Sequence, residues 1–92
     1  MSEPIELKVI NGRFNPEEAT PILTGIINAK LQHHARKISL HDQTEEGIKA
    51  SETRIKQLEE DLRQSLRFLR EAAQRGSRVD IDGVLTIREV PQ

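Results

Sequence analysis

Hydrophobic and polar positions divide the chain into two segments of two-residue alternation at its ends and two long helical segments between them. Ile5, Leu7 and Val9 alternate with mostly polar neighbours, which predicts a half-buried strand over roughly residues 4–11. Asn11-Gly12 is a turn signal, and we expect it to end this strand. A second strand is predicted over roughly residues 78–89, where one face carries Val79, Ile81, Leu85 and Ile87.

Asp82-Gly83 allows two interpretations of this second segment. The pair can form a tight hairpin turn, which leaves only about three residues for the first arm. The alternative is one strand with a bulge or a close contact at Gly83. We prefer the single strand because so short an arm has little to pair with.

The first helix is predicted over roughly residues 16–41. Asn15 is a capping residue, Pro16 suits the first helical position, and two acids follow it. Pro21 leaves two alternatives: a short turn before a helix that begins near Thr20, or a proline tolerated within the first turns. The apolar positions form a main arc and a second strip beside it, namely Leu23, Ile27, Leu31 and Ile38, then Ile22 and Ile26.

The second helix is predicted over roughly residues 43–75, and the other elements are organised around it. Asp42 with Glu45 would form a capping box at its start, with Thr44 as the alternative cap. Gly76 stands where a left-handed C-cap favours glycine. Its apolar positions repeat with the heptad period of a coiled coil, along a seam of Ile48, Ile55, Leu62 and Leu69.

These elements predict an α+β fold that is mainly α, with a single domain over residues 1–92 in the order β-α-α-β. The short break between the helices implies a long antiparallel helical hairpin. Chain direction then brings the two strands together as a short two-stranded antiparallel sheet at the base of the hairpin.

Composition favours a homodimer. Hydrophobic residues make up 35% of the chain, below the ~45–50% of a typical globular domain, and a lone two-stranded sheet is marginally stable. Part of the apolar surface has no cover in a single hairpin, so we expect a second copy or a protein partner to bury it. The predicted interface residues are Ile22, Ile26, Leu40 and Phe68.

The sequence contains no cysteine and no run long enough to span a membrane, and its first residues, MSEPIELKV, have neither the basic nor the apolar region of a signal peptide. We therefore expect a cytoplasmic protein with no disulfide, no Cys-ligated zinc, no membrane contact and no cofactor.

His34 and His41 are the candidate metal ligands. His34 lies at the centre of the main apolar arc, and His41 follows two turns later, about 10.5 Å away, too far to share one metal ion without further ligands. His33 points away from His34. We therefore expect no metal site and interpret His34 as a residue that caps the core and is hydrogen-bonded to a serine or carboxylate across the hairpin.

Charge gives limited support for nucleic-acid binding. The formal net charge is -1 although 32% of the residues are charged, so no global field attracts nucleic acid or anionic lipid. Along the second helix, the pairs 45–49, 52–56 and 59–63 place a glutamate four residues before a basic residue. The basic residues that remain for contact with an anion are Lys30, Arg36, Lys37, Arg67, Arg70, Arg75 and Arg78.

We do not expect catalysis. Asp80 and Asp82 share the solvent-facing side of the last strand, where a catalytic carboxyl pair would lack the burial that it needs. The serines and glycines fit neither a nucleophile elbow nor a phosphate-binding loop.

The segments INGRFNPEEA and INAKLQHH, with a long charged helix that closes on a short strand, resemble small uncharacterised bacterial proteins in layout. The resemblance implies a bacterial, cytoplasmic protein and carries no function or site residue. From the residues, we expect a non-enzymatic protein–protein interaction module that acts through its helical hairpin. The alternative is a nucleic-acid-binding accessory protein that uses the basic clusters of both helices.

Overall fold

The computed structural model describes residues 2–40 and 44–91, with side chains at all of these positions except 39 and 40. The elements follow in the order β1 (Ile5–Phe14), α1 (Pro16–Leu40), α2 (Glu45–Gln74) and β2 (Val79–Ile87). The two helices pack against each other as a hairpin, and the two strands form a two-stranded antiparallel sheet. The predicted β-α-α-β fold is therefore confirmed.

β1 extends through Asn11-Gly12, so the predicted end of the strand at this dipeptide is wrong. Asn11 pairs with Asp82, and Gly12 pairs with Ile81. The antiparallel ladder with β2 satisfies the backbone groups of this segment that are directed towards β2, and this long-range pairing overrides the local preference for a turn.

A β-bulge at Val9 keeps the apolar residues of β1 on one face. Val9 is the extra residue, because Lys8 pairs with Val84 and Ile10 pairs with the next residue of β2, Gly83. The apolar positions of β1 are odd-numbered before Val9 and even-numbered after it. The extra residue of the bulge compensates for this shift, so both sets lie on the same face. A strand without the bulge would point Ile10 away from the face that carries the earlier apolar residues.

β2 is uninterrupted at Asp82-Gly83, so the single-strand interpretation is correct. A Cβ atom placed on Gly83 would lie 3.2 Å from Cγ2 of Ile10. Glycine therefore serves a close contact across the strand pair rather than a turn.

α1 begins at Pro16 and runs without a break through Pro21, so the second alternative for this proline is correct. The N–H of Asn15 donates to Oε1 of Glu18 at 3.0 Å. Oγ1 of Thr20 donates to the carbonyl of Pro16 at 2.8 Å. These bonds stabilise the first turn next to Pro21, which has no N–H to donate to the preceding turn.

Both ends of α2 carry specific caps. Thr44 is the N-cap, and its side chain accepts a hydrogen bond from the N–H of Gly47 at 3.0 Å. The predicted capping box with Asp42 lies outside the described residues. At the other end, Gly76 has φ of 68°, and the N–H of Ser77 donates to the carbonyl of Ala72 at 2.9 Å. This is a Schellman motif, as the glycine predicts.

The seam of α2 has two columns of residues, the predicted heptad column and a second one beside it. Of the predicted positions, Leu69 is buried, and the other three are half-buried. The second column lies three residues further on and contains the buried Ser51, Leu58 and Ala72. The two columns correspond to the a and d positions of a coiled coil.

A small core joins the sheet to the base of the hairpin. Phe14, Leu23 and Ile81 are partly buried and pack against it. Two of its four buried side chains are alanines, so the helices approach closely while burying little apolar area. The buried residues are Ala19, Leu69, Ala72 and Val79.

The strands run crosswise to the helices. The Cα atoms span 48 × 34 × 14 Å. A helix of the length of α2 is about 45 Å long, and a strand of the length of β1 is about 33 Å long. The hairpin therefore accounts for the longest dimension and the sheet for the second. The third is about the width of two packed helices, so no further layer covers the sheet.

Two glycines of the hairpin have opposite expected effects on stability. We expect Gly76→Ala to lower the free energy of unfolding by about 1–2 kcal/mol, because alanine is strained in the left-handed conformation. Gly25→Ala should raise it by about 0.5–1 kcal/mol, because Gly25 lies inside α1. Neither new Cβ atom meets another atom within 4 Å.

Urea unfolding at a fixed protein concentration measures both effects. A Gly76→Ala variant as stable as the wild type would contradict the Schellman geometry at the end of α2.

Candidate interaction surface

One face of the sheet is an apolar stripe that runs along its whole length. Residues paired across the strands share a face. Val79, at the end next to the hairpin, is only 9% exposed. At the far end, four residues are 47–56% exposed and form what we call the outer stripe: Ile5, Leu7, Leu85 and Ile87. The outer stripe consists of the pairs Ile5–Ile87 and Leu7–Leu85.

An apolar groove of about 460 Å³ lies where the sheet meets the hairpin, and we call it the corner groove. Phe68 of α2 lines it and is 60% exposed. Val79 and Ile81 line it from β2 and belong to the same sheet face as the outer stripe. Stripe and groove therefore form one continuous apolar surface. The remaining lining residues are Leu23, Gln64, Ser65, Leu69 and Asp80.

The chain exposes more surface than a compact monomer of its mass. Its accessible area is 7520 Å² for 10.5 kDa. A compact monomeric protein of this mass exposes about 5,400 Å². The excess of about 2,100 Å² comes from the crosswise sheet and the uncovered hairpin, and it exceeds the ~800 Å² that one partner contributes to a standard interface.

The opposite face of the sheet is mostly polar and carries a bidentate ion pair. Arg13 and Asp80 are cross-strand partners, and Nε and Nη2 of the arginine donate to the two carboxylate oxygens at 2.8 and 3.2 Å. The hydrogen bonds from Arg13 lower the pKa of Asp80, and the charges of Arg13 and Arg78 act in the same direction. A carboxylate held ionised by arginine is unsuited to act as a general acid near neutral pH.

The structure brings one of the predicted interface residues, Phe68, to the continuous apolar surface. Ile26 is 43% exposed and Ile22 is half-buried, and both lie on α1 outside the lining of the corner groove. The side chain of Leu40 lies outside the described residues.

Sequence reasoning missed the outer stripe because it assigned the apolar face of both strands to the base of the hairpin. The predicted second strand, residues 78–89, would reach about 40 Å, farther than the base of two helices can cover. Strand length was therefore the available signal, together with the adjacent apolar residues Val9 and Ile10 that mark the bulge.

The ion pairs along α2 match the predicted spacing in part. Glu45 and Lys49 lie 3.4 Å apart. Arg63 pairs with Glu60 instead of Glu59. Within the described part of the chain, no ion pair joins residues 52 and 56.

The predicted anion-contact residues of α2 lie beside the corner groove. Arg67 and Arg70 line a shallow depression with Glu60, Arg63 and Gln64. Neither Arg67 nor Arg70 forms an ion pair with any described residue. Arg75 is the C-cap of α2, and Arg78 precedes β2 and lies near Asp80.

The basic residues of α1 extend further along the hairpin. Lys30 and Lys37 lie near His34, which also lies near Arg54 of α2. Arg36 is exposed on the same helix. At about 1.5 Å per residue, Arg54 lies about 20 Å from Arg67 and about 30 Å from Arg75 along α2. Leu31, the neighbour of Lys30, lines a depression with Arg70, so the two basic groups adjoin at this point and are otherwise spread along the hairpin.

His34 lies in the hairpin among cations. Its Nδ1 atom is buried and has no hydrogen-bond partner among the described residues, so the expected bond to a serine or carboxylate is not formed at this atom. The ring of His33 lies 5.2 Å away in an edge-on arrangement. Desolvation is the main cause that lowers the pKa of His34, followed by the charges of His33, Arg54, Lys37 and Lys30. These cations would also repel a metal ion.

No group of three or more His, Asp or Glu side chains suited to hold a metal occurs among residues 2–38 and 44–91. His41, the other candidate ligand, lies outside the described residues. Within the described part of the chain, neither helix is apolar enough over a sufficient length to cross a membrane.

No family model, curated protein or solved structure matches this chain.

We expect the hairpin to lose stability as the pH falls below the ordinary histidine value of about 6.5. The pKa of His34 is lower in the folded chain, so the unfolded chain binds a proton first. The contribution of neutral His34 to the free energy of unfolding is fully present above pH 6.5 and decreases as the pH falls towards the pKa of His34 in the folded chain.

Urea unfolding of His34→Leu between pH 7.5 and 5 checks this expectation. The wild type should lose more stability than this variant over the range, while the control His33→Gln should keep most of the dependence. Equal slopes for the wild type and His34→Leu would contradict the assignment.

Proposed function

We propose that this protein is a non-enzymatic protein–protein interaction module that self-associates through the sheet and the corner groove. The supporting observation is the outer stripe, which is about half exposed and continuous with the groove around Phe68. Exposed apolar patches of this extent mark interaction sites in proteins that remain in solution. The absence of cysteine supports a cytoplasmic setting.

A homodimer is the simplest assembly that buries this surface. A stable domain packs at least two layers around its core. Here the far half of the sheet has no second layer, and a second copy carries the same apolar surface to supply one. Small homo-oligomers are most often two-fold symmetric dimers. The excess accessible area is large enough for an interface of standard size.

The helical hairpin contributes to this surface mainly at its base. Phe68 is the largest exposed side chain next to the groove, and aromatic residues are enriched among those that dominate binding energy. Ile26 provides a smaller apolar patch on α1 for a further protein partner.

A second candidate function is nucleic-acid binding by the base of the hairpin. It is favoured by one observation: Arg67 and Arg70 form no ion pair with described residues. They line a depression that shares Gln64 with the corner groove, where Phe68 is exposed. Arginine with an exposed aromatic ring can hold a phosphate and stack on a base. The net charge of -1 weakens this candidate.

We expect Leu85→Lys to weaken self-association by about tenfold to a hundredfold, because a buried leucine contributes about 1.5–3 kcal/mol. Thr86→Lys is the matched control: it adds the same charge at the next position, on the opposite sheet face. Sedimentation equilibrium measures both dissociation constants. A wild-type protein that sediments at the monomer mass of 10.5 kDa at high micromolar concentration would contradict the proposal.

Retention on single-stranded DNA or heparin tests the second candidate. If it holds, the double variant Arg67→Gln/Arg70→Gln should elute at clearly lower salt than the wild type, since each lost phosphate contact reduces the salt dependence. Lys49→Gln, on the same helix, is the control. Weak wild-type retention equal to that of both variants would rule out nucleic acid as a ligand of this surface.

A further inference from the structure

The two-stranded sheet has two open edges, and they differ. The edge of β1 is broken by the bulge at Val9, which disturbs the regular spacing of backbone donors and acceptors. The edge of β2 shows no bulge from Val79 to Ile87 and contains no proline. Bulges are among the devices that protect an edge from pairing. The edge of β2 has no such protection.

The outer half of β2 also carries features of a strand with a neighbour on both sides. Residues 83–87 contain no charge, whereas β1 has Glu6 and Lys8 in the corresponding segment. Val84 lies on the mostly polar face and is 58% exposed, while Leu85 and Ile87 are exposed on the other face. This half therefore carries no charge on either face, and Thr86 is its one polar side chain, whereas charged side chains are a common protection of edge strands.

We propose that a second copy of this chain pairs with the open edge of β2 through its own β2. The two strands run antiparallel about a two-fold axis at Gly83 and form a continuous four-stranded sheet. The inference rests on the proposed self-association and specifies its geometry.

Register follows from the side-chain pattern. Side chains alternate between the two faces of a strand, so the apolar residues stay on one face only if odd-numbered residues face odd-numbered ones. This requires that the axis pass beside one residue of β2, which then faces the same residue of the second copy. With the axis at Gly83, Val79 faces Ile87 of the second copy, and Ile81 faces its Leu85. All nine residues of β2 are then paired. The outer stripe of each copy thereby lies beside the corner groove of the other copy. This groove supplies the apolar contact that the stripe lacks in a single chain.

The geometry leaves room for both hairpins. Each hairpin joins its sheet near Val79, four residues from Gly83, or about 13 Å along the strand. The two hairpins therefore stand about 27 Å apart, well beyond the ~10 Å separation of packed helices. Arg78 of one copy faces Arg88 of the other beyond both ends of the ladder, where solvent and salt screen the repulsion.

Disulfide trapping tests the edge and the register, because the natural chain contains no cysteine. In the proposed register Asp82 faces Val84 of the second copy, within the ~7 Å between Cα atoms that a disulfide tolerates. Asp82→Cys and Val84→Cys chains are mixed in urea, refolded together and oxidised mildly. We expect most of the mixed-dimer population to cross-link, with little dimer from either variant alone.

Lys8→Cys is the matched control, because Lys8 is the partner of Val84 on the other edge. Efficient cross-linking of Lys8→Cys alone would show that β1 forms the contact and would overturn the inference. Efficient cross-linking of Val84→Cys alone would overturn the register. No cross-link in any sample, with a wild-type protein that sediments as a dimer, would reject the β2 edge while leaving the proposed self-association intact. A monomeric wild type would reject both.

Discussion

The junction between sheet and hairpin is the constraint on which the rest of the structure depends. It is built from few buried residues, and Ala19 and Ala72 make it a close contact of backbones rather than a large apolar core. Val79 is the point at which β2 enters this junction, directly after the Schellman cap of α2. Because the strands leave the junction crosswise, everything beyond Ile81 extends past the helices.

The bulge at Val9 turns that extension into an interaction surface. It places Ile5 and Leu7 on the same face as Phe14, although the first two positions are odd-numbered and the third is even-numbered. A regular strand would have divided the apolar residues between both faces, leaving neither with a continuous stripe. One local irregularity therefore both creates the stripe and protects the edge of β1, which leaves β2 as the edge that can pair.

The sequence predicted the element order and the caps well, and the reasons are local. Thr44 and Gly76 act within one helical turn, so their chemistry is visible in the residues beside them. The continuation of β1 through Asn11-Gly12 was not predictable in this way, because it depends on a partner strand about seventy positions away. For the same reason, the sequence identified Phe68 as exposed but assigned the outer stripe to the hairpin base. Only the crosswise angle of the sheet shows how far the stripe extends.

The charges of α2 define where this apolar surface ends. Further from the sheet, Glu45 pairs with Lys49 and Glu60 pairs with Arg63, which neutralises part of the basic charge of the helix. Nearer the base, Arg67 and Arg70 form no ion pair with described residues, and the depression that they line shares Gln64 with the corner groove. Aromatic residues and arginine are both enriched at protein interfaces over the rest of a surface. The base of α2 thus places both residue types beside the corner groove, and the packing of its seam against α1 holds them there.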